Sequence, residues 1–410
     1  MSAQQSVARA ASARRRRFLL LLAPLAMIGP FSLDAYLPAF PAMAAAFETP
    51  EARLQWTLAA YLYAFAVTTL LAGPWSDARG RREPLLIALS VYVAASAAII
   101  VVPHFETVVF LRAVQGAAAA VGIVLGRAIV RDAFAPDQAR RMYAQVMLWF
   151  SLGPAVAPVV GGILVVAFDW RAVFVALTLY GVAMIWALAV ALPETLPVSG
   201  RLRAHPRDVV RRYVDIVSRP AFLAPVITFS ALFAGLFVFI SSSPALIFGP
   251  LNGAEGDFWW VFAPLVAGLV LGAIAADRFG GRLTLSTVIT VGASLAGVAL
   301  AAQATAIWLA PGVVVWFVLP LSGYSGALAW LVPAVTLAAM DTMPQARGSV
   351  SAAQSFVQLT SAAAVTTWVT PTLVAWVHFS PLGVTAVAAT LWLVAAVSGY
   401  VWWRQARAVR

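Results

Sequence analysis

The 410-residue sequence contains no cysteine, and all 27 of its basic residues are arginine, so it has no lysine either. The absence of cysteine excludes disulfides and thiolate metal sites. Histidine is scarce: His104, His205 and His378 are the only three, and each lies at or beyond the end of an apolar run. We therefore expect no metal centre.

Charge is also sparse, because only 10% of the residues are charged while 62% are hydrophobic. A soluble domain carries about 25% charged residues. The mean hydropathy of +0.89 leaves no room for a sizeable soluble domain. The composition therefore predicts a membrane protein, and we do not interpret the net charge of +11 as a nucleic-acid-binding surface.

Twelve apolar runs are long enough to cross a bilayer, which takes about 20 residues as a helix. Backbone polar groups in lipid must be paired within the segment, so we expect helices throughout. The predicted spans are 18–40, 54–76, 84–103, 107–130, 142–167, 172–192, 222–248, 258–277, 283–303, 307–331, 349–372 and 381–403.

Arginine is concentrated in every second gap between these runs. This alternation follows the positive-inside rule and predicts that both termini and the long polar stretch after the sixth run are cytoplasmic. That stretch divides the chain into a six-helix bundle over 1–193, a cytoplasmic linker over 194–221 and a second six-helix bundle over 222–410. The predicted fold is thus all-α, with two six-helix bundles in the membrane.

An internal repeat supports the division. Gly73–Arg82 follows the second span and 273–282 follows the eighth, and both contain Asp-x-x-Gly-x-Arg. Two duplicated halves around a central cavity are typical of secondary transporters.

Asp34 and Arg112 are the two charged residues predicted to lie within the membrane core. Each is roughly 10 Å from the outer end of its span, so the two side chains could share one cavity. Intramembrane ionisable groups are expensive and usually functional. One interpretation is that Asp34 binds and releases a proton beside the fixed charge of Arg112; the other is a static pair that holds two spans together.

The loop Gly73–Arg82 combines one acidic residue, a glycine turn and three arginines, which can lock neighbouring helix ends together. Asp77 could cap a helix, and Arg81 or Arg82 could pair with Asp132. We interpret the loop as a conformational latch, with a purely topogenic role for the arginines as the alternative. The candidate latch residues are Gly73, Asp77, Gly80, Arg81, Arg82, Asp132, Asp277 and Arg282.

Several of these motifs resemble those of the major facilitator superfamily (MFS). Gly73–Arg82 resembles its loop motif, Arg112-x-x-Gln115-Gly116 its fourth-helix motif, and 153–162 the fifth-helix motif of its drug/proton antiporters. The gating residues that this last resemblance implies are Gly153, Pro154, Pro158, Gly161 and Gly162.

Three further segments are similar to the Bcr/CflA drug-resistance branch, which includes chloramphenicol, florfenicol and bicyclomycin exporters. These are 33–38, 127–132 and 193–195. The resemblance implies a monomeric proton/drug antiporter of the bacterial cytoplasmic (inner) membrane, driven by the proton gradient without a cofactor. The loop motif departs from the family pattern at Trp75 and Ala78, and the fifth-helix motif at Ala157. Some relatives carry a second acid before the position of Asp34; here 24–27 is apolar, so coupling would fall on Asp34 alone.

An apolar pocket with few polar anchors suits lipophilic ligands. Gln354 and Gln358 are four residues apart and therefore share one helix face, which indicates a polar cavity or a helix contact. The candidate cavity residues are Tyr36, Tyr61, Phe65, Gln115, Phe237, Phe239, Gln354 and Gln358.

Two alternatives remain at this point. An importer or uniporter of a small metabolite would have the same fold, because fold does not fix direction or substrate. A membrane-embedded enzyme or scaffold is the other, but no loop carries a cluster of catalytic residue types, so we expect a transporter and not an enzyme.

Overall fold

The computed structural model describes residues 3–202, 205–309, 314–376 and 381–408, and it contains helices and no strand within those ranges. His378 and parts of the predicted linker and of the span 307–331 lie outside the described residues. The first half contains α1 Ala3–Asp34, α2 Phe40–Ala46, α3 Glu51–Arg79, α4 Arg82–Val101, α5 Phe105–Ala133, α6 Pro136–Ala167 and α7 Trp170–Ala191. The linker helix is α8 Pro206–Val217, and the second half contains α9 Pro220–Phe248, α10 Phe258–Phe279, α11 Leu285–Leu309, α12 Val314–Asp341, α13 Arg347–Ala364, α14 Thr370–Trp376 and α15 Pro381–Ala408.

Helix starts follow local sequence rules. Proline opens α6, α8, α9 and α15, where its missing N–H would have no intrahelical partner. Asp169 caps α7, since its Oδ1 accepts from the backbone N–H groups of Arg171 and Ala172 at 2.8 and 3.2 Å. Short turns over Leu37–Ala39, Glu255–Asp257 and Gly280–Arg282 join neighbouring helices.

Eleven continuous helical stretches of the described residues are long and apolar enough to cross a membrane. The remaining predicted span, 349–372, is helical but divided into α13, a π-helical turn at Val365–Val369, and α14. Helix α13, which begins at Arg347, also carries Gln354 and Gln358, and these polar residues lower its hydropathy. The prediction of an all-α membrane fold is confirmed.

The halves meet reciprocally. The second long helix of the first half, α3, packs on α13, the fifth of the second half; likewise the fifth of the first half, α6, packs on α10, the second of the other. This reciprocity is the arrangement that two duplicated repeats produce. Helix α8 contacts both halves: Tyr213 donates to the Leu70 carbonyl at 2.9 Å, while Ile216 is buried beside Phe222 and Val350.

We call the end of the bundle that carries Arg79, Arg131 and Arg219 the arginine-rich end, and the opposite end the arginine-poor end. The helix surface between these ends exposes large apolar side chains such as Leu179, Trp186 and Leu271, as a lipid-facing surface requires. The core lies between the helices, and Arg112 is the largest of its fully buried side chains.

Candidate functional site

Helix α1 ends at Asp34, part-way along the first span. Pro30 lies inside the helix, and Pro38 lies in the turn Leu37–Ala39 that leads into α2. Proline removes a backbone hydrogen bond and disfavours continuation of a helix. The regular α-helix therefore ends at Asp34, a residue that is only 2% exposed.

Arg112, on α5, lies between two tyrosine rings. Its guanidinium carbon is 4.2 Å from the ring centre of Tyr36 and 4.6 Å from that of Tyr61. Desolvated cation–π contacts of this kind stabilise a buried guanidinium. Its Nη1 also donates to the Oε1 of Gln115, one helical turn along. Tyr36, Tyr61 and Gln115 are thus gathered around Arg112.

Asp34 and Arg112 are not joined directly. Within the described part of the chain, Asp34 takes part in no ion pair, although Arg112 acts on it electrostatically. The Oδ1 of Asp34 and the Nε and Nη2 of Arg112 are buried without a hydrogen-bond partner. Unsatisfied buried polar atoms are costly, and three of them belong to these two residues.

A hydrogen-bond network that the sequence did not reveal extends from Gln115. Its Nε2 donates to the Ser96 hydroxyl at 2.7 Å, and Ser96 donates to the Tyr92 carbonyl. Because Ser32 donates to the Ile28 carbonyl at 2.6 Å, the Tyr92 hydroxyl is the donor in its 2.6 Å bond to Ser32. Helices α1, α4 and α5 are thereby held together two residues from Asp34.

The predicted cavity residues fall into separate groups. The Phe65 ring is tilted against that of Tyr61, with the ring centres 6.0 Å apart, and so belongs to the group around Arg112. Phe237 packs on Phe233 at 4.9 Å, and Phe239 packs on Phe317, all within the second half.

The two glutamines of α13 differ in burial. Gln354 is buried and donates to Thr336 of α12 at 3.1 Å, which makes it a helix contact within the second half. Its Oε1 is left without a partner, and Gln358 is half-buried.

Three glycines of α6 allow very close helix approach, in a helix that also contains Pro154 and Pro158. A Cβ on Gly153 would lie 2.7 Å from the Pro30 ring of α1. A Cβ on Gly161 would overlap the carbonyl oxygen of Ala35, next to Asp34, and one on Gly162 would overlap that of Glu255 in the second half. Small residues permit such contacts between membrane helices.

The two halves are also joined by a polar contact, which we call the Gln55 clasp. The Nε2 of Gln55, on α3, donates to the Ser241 carbonyl of α9 at 2.8 Å. The Ser241 hydroxyl is in turn 2.8 Å from that of Thr370, on α14. All three are buried near the arginine-poor end. The sequence signal was weak: one amide in an apolar run, and three successive serines before Pro244.

Loss of the clasp is expected to open the arginine-poor end more often. Gln55→Met keeps the side-chain volume but removes the hydrogen-bond donor. We predict that it shifts the equilibrium between the closed and open arrangements of the arginine-poor end roughly 2- to 10-fold toward the open one, which corresponds to the free energy of one hydrogen bond. Because the chain has no cysteine, Ser242→Cys in the same background provides a single buried thiol whose labelling rate by an impermeant reagent measures the opening.

Gln303→Met is the matched control. Gln303 is also buried and donates to a backbone carbonyl, that of Phe317 at 2.9 Å, but both belong to the second half. Equal thiol labelling in the Gln55 and Gln303 variants would contradict a role of the clasp in closing the two halves.

At the arginine-rich end, Arg81 is the centre of a charged cluster. Its Nε donates to Asp132 at 2.8 Å, and its Nη1 donates to Asp77 at 2.7 Å and to Ser76 at 2.6 Å. The side chain is only 3% exposed. Arg81, and not Arg82, therefore pairs with Asp132, while Arg82 donates to the Ala189 carbonyl of α7.

The first turn of α4 is capped by Glu194 and not by Asp77. The two carboxylate oxygens of Glu194 accept from the backbone N–H groups of Arg81 and Arg82 at 2.8 and 3.1 Å. Burial alone would raise the pKa of Glu194, but these N–H groups and those of Leu196 and Thr195 lower it below its usual value.

Gly80 has φ of +98° and a Cβ there would meet the Glu194 carboxylate at 2.5 Å, so the position requires glycine. Gly73, by contrast, has no atom within 4 Å of where its Cβ would lie.

The second copy of the motif does not form such a cluster. Asp277 and Arg282 are exposed and take part in no ion pair within the described residues. The reason is the backbone: Gly280 has φ of −58° and opens a helical turn, so Arg282 is not brought back onto the preceding helix. A latch role of Asp277 and Arg282 therefore stays a prediction.

The Glu194 cap makes a testable contribution to stability. Because its folded-state pKa is lowered, its stabilisation is full above the unfolded-state pKa of about 4.3 and is lost as pH falls through the folded value. We predict that Glu194→Gln lowers the Tm in detergent at neutral pH, and that its difference in Tm from the wild type shrinks as the pH falls below about 4.3 and disappears below the folded-state pKa. Glu48→Gln, which replaces an exposed acid, is the control. A difference in Tm between Glu194→Gln and the wild type that stays constant with pH would contradict the cap.

The helical arrangement, the repeat and the motifs lead to one family, whose profile matches residues 22–367 under the description Major Facilitator Superfamily. The chain belongs to the Major Facilitator Superfamily. The resemblance inferred from the motifs is confirmed, and this MFS protein is a transporter and not an enzyme.

Among relatives of this MFS transporter, a bicyclomycin resistance protein homolog of Haemophilus influenzae is 27% identical over 67% of this chain and 69% of its own length. Multidrug resistance protein D of Escherichia coli is 26% identical over 83% of this chain and 84% of its own. The crystal structure of a D-xylose-proton symporter has the same fold, with a TM-score of 0.73 at 14% identity over 92% of this chain and 96% of its own.

Proposed function

We propose that this MFS transporter is a proton-coupled antiporter that exports small lipophilic drugs, amphenicol-like or multidrug, by alternating access. The observation that carries the proposal is the buried carboxyl of Asp34, which has a partnerless oxygen and lies at the break in α1. A carboxyl in such a place can take up and release a proton when its surroundings change, because desolvation and nearby charge act on the two protonation states differently.

In this mechanism Arg112 is a fixed charge. A guanidinium does not lose its proton in proteins, and here two aromatic rings and Gln115 hold it in place. Protonation of Asp34 would remove its attraction to Arg112, and so favour one arrangement of the halves over the other. The inward proton gradient supplies the energy, and no cofactor takes part.

The drug-resistance names of two relatives support an export role, and the side chains near Arg112 support a lipophilic ligand. Tyr36, Tyr61, Phe65, Arg112 and Gln115 are all buried in this structure. In an arrangement that opens this region, the three rings would offer aromatic surface, and Arg112 and Gln115 would supply a small number of polar groups. Pockets with this balance fit drug-sized lipophilic molecules.

We further propose that the transporter acts as a monomer in the bacterial inner membrane, with its arginine-rich end and both termini in the cytoplasm, as the positive-inside rule implies. The linker 194–221 would then be cytoplasmic, between bundles 1–193 and 222–410.

Everted membrane vesicles provide the decisive test. We expect vesicles that contain the transporter to accumulate labelled chloramphenicol or another lipophilic drug when their interior is acidified, and to lose it when a protonophore is added. Vesicles from cells that lack the transporter are the control. Accumulation that is insensitive to the protonophore, or drug uptake by intact cells, would contradict proton-driven export.

A further inference from the structure

A cleft of about 720 Å³ lies at the arginine-rich end, between the first half of α1 and the end of α7. It is unrelated to the Asp34 region, and it faces the outside of the bundle. Its volume falls within the range of about 300–1,000 Å³ typical of ligand sites. The lining residues that matter here are Arg16, Arg17, Leu20, Leu21, Ala187 and Ala191.

The charge in this cleft is available for a ligand. Of the four successive arginines, Arg14 donates to the Ala133 carbonyl, Arg15 to Gln145 and Arg17 to the Ala191 carbonyl. Arg16 is exposed and makes no hydrogen bond or ion pair within the described residues. The bond to Ala191 fixes Arg17 across the top of the cleft, so two guanidinium groups lie at its rim, one of them uncommitted.

The remainder of the cleft is apolar. Leu20 is one helical turn from Arg16, so the two share a face of α1, and Leu20 is 64% exposed. On the facing helix, Ala187 and Ala191 are also one turn apart, and their short side chains leave the space that forms the cleft. Positive charge therefore lies toward the helix end, and an apolar surface lies toward the middle of the membrane.

This order of charge and apolar surface is complementary to one class of molecule. A free anion would make no favourable contact with the apolar part of the cleft. A zwitterionic lipid has no net negative charge for the two guanidinium groups to attract. Basic pockets between helix ends that continue into apolar surface suit the headgroups of anionic phospholipids. We propose that the cleft binds an anionic phospholipid, with its phosphodiester between Arg16 and Arg17 and the upper part of an acyl chain along Leu20 and Ala187.

The test is direct binding of lipid to the full-length protein in detergent. Native mass spectrometry would compare phosphatidylglycerol with phosphatidylcholine of identical acyl chains, in the presence and absence of inorganic phosphate. We expect the wild type to retain phosphatidylglycerol preferentially, and phosphate not to displace it. Arg16→Gln should weaken phosphatidylglycerol roughly fivefold, the effect of one arginine near a lipid headgroup, and leave phosphatidylcholine unchanged.

Two further variants distinguish binding in the cleft from nonspecific attraction of the lipid to surface arginines. Ala187→Phe fills the cleft and keeps every arginine, so it should also weaken phosphatidylglycerol. Arg140→Gln removes an exposed arginine at the start of α6, outside the cleft, and should have no effect. Equal retention of the two lipids, displacement by phosphate, or an equal loss in Arg140→Gln would each overturn the proposal. Because Arg16 is exposed, its replacement should not disturb folding, so misfolding would not explain weaker lipid binding by Arg16→Gln. An unchanged Tm of this variant in detergent would verify this.

Discussion

Replacing Asp34 by asparagine is expected to abolish drug accumulation driven by a pH gradient, down to the level of protein-free liposomes. Asparagine has nearly the same size but cannot carry a proton, so binding of the drug should survive while coupling is lost. Intramembrane acids commonly have this role. Reconstituted proteoliposomes with an imposed pH gradient would measure the accumulation, and equilibrium binding to the purified variant would measure the affinity.

Exchange of labelled for unlabelled drug in the absence of a gradient adds a sharper criterion. It needs movement of the halves but no net proton transfer, so it should persist in Asp34→Asn. Asp137→Asn, at an exposed acid near the start of α6, is the matched control and should behave as the wild type. Undiminished gradient-driven accumulation in Asp34→Asn would refute the proton role of Asp34.

A second large effect is expected from Gly162→Val. The glycine lies against the backbone carbonyl of Glu255 in the other half, where a Cβ has no room and no flexible side chain can yield. Overpacking of this kind costs about 1–3 kcal/mol, a roughly 5- to 150-fold shift away from the closed arrangement of the arginine-poor end. Transport should fail because the cycle cannot return to that arrangement.

Gly256→Val is the appropriate control, because Gly256 is in the turn that faces Gly162 but has nothing within 4 Å of where its Cβ would lie. The thiol at Ser242→Cys would again report opening. Normal transport by Gly162→Val, or the same loss in both variants, would show that the close approach has no part in the transport cycle.

Much of this architecture was predictable because membrane helices follow from composition alone. The apolar runs predicted the all-α fold. Pro30 and Pro38 lie on either side of Asp34, where α1 ends. Arg112 was predicted within the core because it interrupts an apolar run, and it is fully buried.

Other features depend on how the helices pack and on backbone angles, which the sequence pattern does not specify. Gln55 and Ser241 are 186 residues apart, and only the packing of the halves brings them together. The repeated motif suggested two equal latches, yet the backbone angle of one glycine in each copy, +98° at Gly80 and −58° at Gly280, makes them different. The separation of Phe237 and Phe239 from the group around Arg112 likewise reflects which helix faces meet.

The consecutive placement of Gly161 and Gly162 has a mechanical consequence. Neighbouring helix positions point about 100° apart, so one step of α6 faces the backbone beside Asp34 and the next faces Glu255 across the boundary between the halves. Neither contact includes a side chain that could bend and absorb a displacement. We therefore expect α6 to move as a rigid body, so that a displacement of the backbone beside Asp34 is transmitted to the second bundle with little loss.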